Sequence, residues 1–316
     1  MNIMKICTYD EVNPEQVLDL NIQAFNWTLT FDRINKIRKL DPRVPEIFAF
    51  YAVEKGVVLG QLGIILLELE TKTGKQLFGG IWGVATDPLK RRSGIASLLF
   101  REAHEFFLER GIEYSLLTTA RHIVGYNLYK KLDYHTIFSF PKAVRHQDPS
   151  DKPTPPSLRV DKTDIQSMDD MFKEKTKGLL GFTHRPPMFY NARRIWGFIN
   201  TMEPTFFKVQ GEKLGYGMYE ILNDAALVRE IMSDEKDYTN VLNLIEAEAA
   251  QPYTLLTDLS TKSKTKWAEK IGFRIYLDGY PVLMAKDLRT ETNKKRIKHS
   301  LGIDKGQFHM NDIDIF

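Results

Sequence analysis

Apolar positions in the first 140 residues switch between a spacing of two and a spacing of three to four, and each switch marks an element. Residues 3–8 alternate as a strand. Asn13 is placed to cap a helix running to about Ala24, with Pro14 at its first position, where a missing N–H costs nothing. A second helix fits Thr30–Leu40. Phe48–Glu54 and Val57–Leu69 predict a hairpin about Lys55-Gly56, and Leu77–Thr86 a further strand. From Gly94 onward, Ile95, Leu98, Leu99, Ala103, Phe106 and Phe107 share one helical face, with Arg101, Glu105 and Glu109 opposite, until Gly111. Tyr114–Thr119 (strand), Ile123–Lys131 (helix) and Tyr134–Phe138 (strand) complete the series. The order β-α-α-β-β-β-α-β-α-β predicts an α/β (mixed α+β) fold: a mixed, mostly antiparallel sheet with helices on both faces.

The pattern then repeats. Tyr114-Ser115-Leu116-Leu117-Thr118 returns as Tyr253-Thr254-Leu255-Leu256-Thr257, and Lys131-Leu132-Asp133-Tyr134 as Lys270-Ile271-Gly272-Phe273, both at an offset of 139 residues. Holding one offset across strand, loop and helix points to a tandem duplication. A hairpin of Thr205–Val209 and Leu214–Leu222 around Gly211, a strand Ala225–Met232 and a helix Tyr238–Ala249 agree with it. The expected organisation is a first domain over 1–140, a proline-rich linker over 141–156, a second domain over 157–286 and a tail over 287–316. Residues 181–190, rich in aromatics, read either as lining an acceptor cleft or as an ordinary loop entering a helix at Ala192–Ile199, with Trp196 and Phe198 in the core. In the tail, Lys294–His299 reads as a solvated helix face and Asn311–Phe316 alternates like a strand.

Composition mainly excludes. A chain of 316 residues is long enough for two cores. A net charge of +3 supplies no global field for nucleic acid or a membrane surface. Cys7, the only cysteine, cannot form an internal disulfide and reads as a small core residue of the first strand. Neither a signal-peptide pattern nor an apolar run of membrane-spanning length is visible, so a cytoplasmic protein is expected. The histidines form no ligand cluster, and neither a P-loop nor a Gly-x-Ser-x-Gly pattern occurs, so no metal is expected.

The candidate chemistry lies at Val84–Ala96. An apolar strand runs into a basic turn containing Lys90, Arg91 and Arg92, and Gly94 then opens an amphipathic helix. Free N–H groups at a helix start, with the macrodipole and nearby cations, suit an anion such as a pyrophosphate.

Arg91-Arg92-Ser93-Gly94-Ile95-Ala96, preceded by a strand with Asp87-Pro88 and followed downstream by Leu128-Tyr129-Lys130-Lys131-Leu132-Asp133-Tyr134, resembles the two signatures of the GNAT superfamily of acyl-CoA-dependent N-acyltransferases. The resemblance covers residues 3–140 well and 157–286 as a degenerate second copy. It implies that acetyl-CoA lies where the strand ending at Thr86 splays from Tyr114–Thr119. Val84, Ala85 and Thr86 would bond the pantetheine arm, and Arg91, Arg92, Ser93, Gly94, Ile95, Ala96 and Ser97 would surround the pyrophosphate. The implied activity is transfer of the acetyl group to a primary amine by direct attack, with Tyr129 as general acid to the departing thiolate. Tyr126, three residues earlier, competes for the same cleft. Glu68 and Glu70 are candidate bases or plain strand-end charges. Asp133 replaces the usual Gly, and His122 and Gly125 the usual Asn and Ala. In the second copy the phosphate turn becomes Ser233-Asp234-Glu235-Lys236-Asp237 and Tyr129 becomes Ala268, which removes both anion binding and the proton donor. Some two-copy relatives place the terminal carboxylate in the active site, here that of Phe316. A small-molecule or peptide amine is the expected partner, nucleic acid and membrane are not, and a homodimer is left open. An acyl-CoA-binding sensor or scaffold without turnover is the alternative these residues leave standing.

Overall fold

The structure, a computed structural model, describes residues 4–147, 159–161, 165–196, 205–210, 214–278 and 281–315. The first half contains β1 (Lys5–Thr8), α1 (Pro14–Phe25), α2 (Phe31–Leu40), β2 (Ala49–Glu54), β3 (Val57–Thr71), β4 (Gly74–Thr86), α3 (Ile95–Glu109), β5 (Tyr114–Thr119), α4 (Val124–Lys131) and β6 (His135–Ser139). Local chemistry explains the boundaries. The Asn13 side chain accepts the Glu15 N–H at 2.9 Å with Pro14 at the first helical position, and Thr30 caps α2 through the Arg33 N–H. Lys55 and Gly56 both have positive φ, as a two-residue hairpin turn requires.

The chain continues with β7 (Lys142–His146), β8 (Arg159–Asp161), α5 (Ile165–Lys175), α6 (Phe189–Trp196), β9 (Thr205–Gln210), β10 (Gly215–Leu222), β11 (Ala225–Ser233), α7 (Tyr238–Ala249), β12 (Tyr253–Leu256), α8 (Lys262–Lys270), β13 (Arg274–Tyr276), β14 (Val282–Asp287), α9 (Lys294–Ser300) and a short α10 (Asp312–Ile315). Among the described residues two mixed seven-stranded sheets result, ordered β1-β2-β3-β4-β5-β14-β6 and β8-β9-β10-β11-β12-β7-β13. Position for position the sheets correspond, with one exchange. β14, from the end of the second repeat, lies antiparallel between β5 and β6, and β7, from the end of the first, lies antiparallel between β12 and β13.

This exchange departs from the expected boundaries. The stretch beginning at residue 141 supplies a strand to the second sheet, because Lys142–His146 pairs with β12 and β13 despite its proline-rich surroundings; residues 148–156 lie outside the described ones. The last strand of the second repeat completes the first sheet.

Buried side chains gather on the faces of both sheets. One face of the first sheet packs on α1, α2 and α6 through Trp27, Phe48, Trp82 and Trp196, whose ring centroids lie 4.9–6.4 Å apart. The other packs on α3 and α4 through Leu99, Phe100, Phe107 and Tyr129. Trp196 is thus core, as expected, whereas Phe198 lies outside the described residues. Cys7 is buried and free. In α9, Lys294, Lys295 and Arg296 are exposed and Ile297 is buried, the expected solvated face. The expected strand at 311–316 is instead the helical turn α10. Arg43 donates to the Asp314 carbonyl at 3.0 Å and Arg185 to its carboxylate at 2.9 Å, so the segment seats as a plug rather than pairing along a sheet. The terminal Phe316 lies outside the described residues.

Candidate active site

β4 and β5 run parallel, but their pairing ends at the rung Ile81↔Leu117. β4 continues to Thr86 and β5 to Thr119, so a wedge opens between them. The bend in β4 comes from a bulge: Gln61 faces Ala85 and Gly63 faces Trp82, leaving Gly83 and Val84 opposite a single residue of β3. Gly83 has φ +55°, and its carbonyl accepts the Gln61 Nε2–H at 3.0 Å. Gln61 and the buried Asn21 exchange two further hydrogen bonds of 2.8 Å each, so a satisfied amide pair in the core fixes the bulge. Sequence reasoning missed this pair. Its signal was Gln61 itself, a polar residue inside the long apolar run of β3.

At the far end of the wedge, Asp87 caps a single 3-10 turn over Pro88–Lys90 by accepting the Leu89 N–H at 2.7 Å. Arg92 (φ +64°) and Gly94 (φ +83°) both take the left-handed conformation, which is unusual for an arginine. Gly94 starts α3 with no side-chain cap, and the first backbone bond across it runs from the Leu98 N–H to the Gly94 carbonyl. The amides of Ile95, Ala96 and Ser97 therefore form the uncapped start of a 15-residue helix. A β-carbon at Gly94 would meet nothing within 4 Å, so the space above the turn is open. Lys90, Arg91, Arg92, Ser93 and Gly94 are all exposed, and Val84 and Thr86 are half-buried along the wedge.

Tyr129 lies on α4 in the hydrophobic cluster that holds Ile81, Leu117 and Ile95, with Val84 packed against it. Burial pushes its hydroxyl up to about 12. Its ring tip points back along the helix, where a β-carbon at Gly125 would sit 3.0 Å from the hydroxyl. Tyr126, the competitor, has its hydroxyl 3.2 Å from Thr136 Oγ1, and that bond leads the lowering of its pKa. His104 packs beneath, 2.9 Å from the Tyr134 hydroxyl, and burial followed by the Lys286 charge depresses it to about 3, a neutral core histidine.

The structure does not bring Glu68 and Glu70 to the wedge. Glu68 pairs across the hairpin with Leu77, four rungs or about 13 Å from Ile81. It also forms an ion pair with Lys75 at 3.0 Å, and Glu70 lies 2.8 Å from His184. Glu68, and His184 that partners Glu70, line a cavity of about 480 Å³ between the repeats, beside Arg43, Leu77, Phe172 and Pro186, at the opposite end of β4. Of residues 181–190, Phe182, His184, Arg185 and Pro186 line that cavity, and the loop enters α6 at Phe189, three residues earlier than the expected helix.

In the second repeat the corresponding wedge is filled. Pairing of β11 with β12 ends at Val228↔Leu256. Counted from the matched rungs Gly79↔Ser115 and Ala226↔Thr254, Ile231 stands where Val84 stands in the first repeat. The Ile231 N–H donates to Asp258 Oδ2 at 2.8 Å, its carbonyl accepts from Lys264 at 2.7 Å, and Asp258 and Lys264 are paired and buried. Beside them, Glu230 is enclosed by Arg185, Tyr216 and Asn311. Burial raises the Glu230 carboxyl, but Arg185 outweighs it and holds the group below its ordinary value.

A profile described as an acetyltransferase (GNAT) domain matches residues 6–137. Residues 6–137 are thereby identified as similar to a GNAT acetyltransferase domain. Curated protein sequences yield no match. The whole chain is similar in fold to solved structures. A GCN5-related N-acetyltransferase from Kribbella flavida is 15% identical, with TM-score 0.65, over 90% of this chain and 71% of that one. A conserved protein of unknown function from Enterococcus faecalis, a probable N-acyltransferase, gives 15% identity and TM-score 0.68 over 93% and 74%. A GCN5-related N-acetyltransferase from Anabaena variabilis gives 15% and 0.64 over 91% and 73%. At such identities the likeness concerns the architecture, which extends beyond the GNAT domain into the second half.

Proposed function

We propose that the GNAT domain moves the acetyl group of acetyl-CoA to a primary amine of a small molecule or peptide by direct attack. The observation that carries this reading is the open wedge of β4 and β5 leading to an uncapped helix start ringed by three exposed cations. The pyrophosphate belongs at the amides from Arg92 to Ser97 with Arg91 and Arg92 alongside, and the pantetheine arm along Val84, Ala85 and Thr86. The thioester then ends near the bulge, beside the cluster that holds Tyr129.

The amine attacks the thioester carbonyl, loses a proton, and the C–S bond breaks as the amide forms. A phenol held at about 12 is a weaker acid than a thiol near ~8.5, so Tyr129 stabilises the departing sulfur by hydrogen bonding. It passes its proton on as the proton released by the amine replaces it. The same burial keeps the phenol protonated throughout the neutral range.

Calorimetry with acetyl-CoA tests the site. The intact protein binds one equivalent, and Gly94→Glu, which puts a carboxylate where the pyrophosphate belongs and a side chain at positive φ, abolishes binding. Unaltered affinity in that variant would refute the site. A panel of amines with a free-thiol readout then identifies the acceptor; binding with no thiol released from any amine would leave a sensor in place of an enzyme.

A further inference from the structure

We propose that Lys286, at the end of the last strand of the second repeat, and Thr292, in the turn that follows it, are positioning residues for Tyr129. The chemical role of Tyr129 rests on the acetyltransferase reading; the placement argued here does not.

α4 ends in a turn built directly on Tyr129. The Tyr134 N–H donates to the Tyr129 carbonyl at 2.9 Å, and the Asp133 N–H to the Lys130 carbonyl at 3.2 Å. That closure needs a left-handed residue at position 133, and Asp133 has φ +65°. The second repeat builds the same turn on Ala268: the Phe273 N–H reaches the Ala268 carbonyl at 3.0 Å and the Gly272 N–H the Glu269 carbonyl at 3.1 Å. There the left-handed position, φ +90°, is filled by glycine, which takes it without steric cost. An aspartate takes it less readily and needs support from elsewhere.

The support comes from the other repeat. The Thr292 N–H donates to Asp133 Oδ2 at 3.0 Å. The Thr292 hydroxyl lies 2.7 Å from the same oxygen and 3.0 Å from the Asp133 carbonyl, and it accepts the Asp287 N–H at 3.0 Å. Lys286 reaches over to donate to the Leu132 carbonyl at 2.7 Å, the last residue before the turn. His135, 2.8 Å from Asp133 Oδ1, is the one helper from the first repeat in this group. Lys286 and Asp287 end β14, the exchanged strand held between β5 and β6. The turn that fixes the backbone of Tyr129 is therefore tied to the catalytic sheet by the second repeat. The departure from glycine at position 133 is what creates that dependence.

A double-mutant cycle on the full chain tests the proposal. Thr292→Val should lower kcat about tenfold with KM for acetyl-CoA unchanged, since displacement of a reacting group by a fraction of an ångström acts on the chemical step. Thr292→Ser, which keeps the hydroxyl, should restore the rate. In an Asp133→Gly background the turn no longer needs its tie, and Thr292→Val should then cost less than about twofold. A second readout needs no turnover: with 3-fluorotyrosine at position 129, the fluorine resonance should move in Thr292→Val and return in Thr292→Ser. An equal loss of kcat in both backgrounds, or a fluorine resonance indifferent to Thr292, overturns the proposal. A resonance that moves in a protein acetylating no amine upholds the placement and removes the acetyltransferase reading instead.

Discussion

The two repeats share a sheet order and differ in what fills the wedge between the parallel strands. In the first, the wedge beyond Ile81 and Leu117 leads to an open turn with exposed cations. In the second, the backbone of Ile231 is bonded to a buried Asp258–Lys264 pair, and Arg185, Glu230 and Asp314 close the space beside it. The comparison teaches that a duplicated fold can keep its frame after losing a ligand only if the vacated polar groups find internal partners, because unpaired backbone groups are costly to bury. Here one ion pair inside the chain supplies both a donor and an acceptor to the strand.

Acid gives the largest contrast. Two buried histidines, His104 of α3 in the first repeat and His309 in the C-terminal segment that packs on the second, are each held down to about 3 mainly by burial. Above pH ~6.5 both states of the chain are neutral at these sites and stability is unaffected. Below it the unfolded chain takes up two protons that the folded chain refuses, so stability falls as pH drops from about 6.5 to about 5, approaching a slope of about 2.7 kcal/mol per unit before the carboxylates begin to titrate. Urea unfolding across that window should show this slope, and His104→Gln should halve it. A smaller effect, about 3–5 kcal/mol, is expected from Arg185→Leu, which strands Glu230 and Asp314 without their cation. If the filled wedge is purely structural, this variant weakens folding but binds acetyl-CoA as before at temperatures where it stays folded. The mildest test concerns chemistry: Tyr129→Phe should lower kcat about a hundredfold with acetyl-CoA affinity retained, while Ala268→Ser, a small change at the matching buried position of the second repeat, should leave the rate alone. Comparable loss from both would erase the proposed asymmetry.

Helix and hairpin boundaries in the first half were legible because they rest on local chemistry: Asn13 with Pro14, Thr30, Lys55-Gly56 and Gly111 each carry their own reason. The uncapped glycine start of α3 beside consecutive cations was legible for the same reason. The exchanged strands were not. Lys142–His146 is five residues long beside Pro141, and nothing in its spacing says which sheet it joins. Val282–Asp287 reads as a strand only once its neighbours β5 and β6 are known. Asn311–Phe316 misled because Ile313 and Ile315 alternate, while the decisive interactions of Asp314 are with Arg43 and Arg185, far away in the chain. Glu68 and Glu70 are charges at the end of β3, one of the two readings the sequence left open, and their distance from the wedge follows from the strand register rather than from residue type.

The strand exchange bears on how the molecule is made. Until Asp287 has left the ribosome, β5 and β6 have no common neighbour, and a slot the width of one strand stands open in the half that carries Tyr129. Nearly half of the polypeptide is translated between β6 and β14, which at ~5–20 residues per second takes on the order of ten to thirty seconds. Throughout that interval the nascent chain presents two bare strand edges to any chaperone or neighbouring polyribosome product. Birth, rather than turnover, is the stage at which this architecture is most vulnerable.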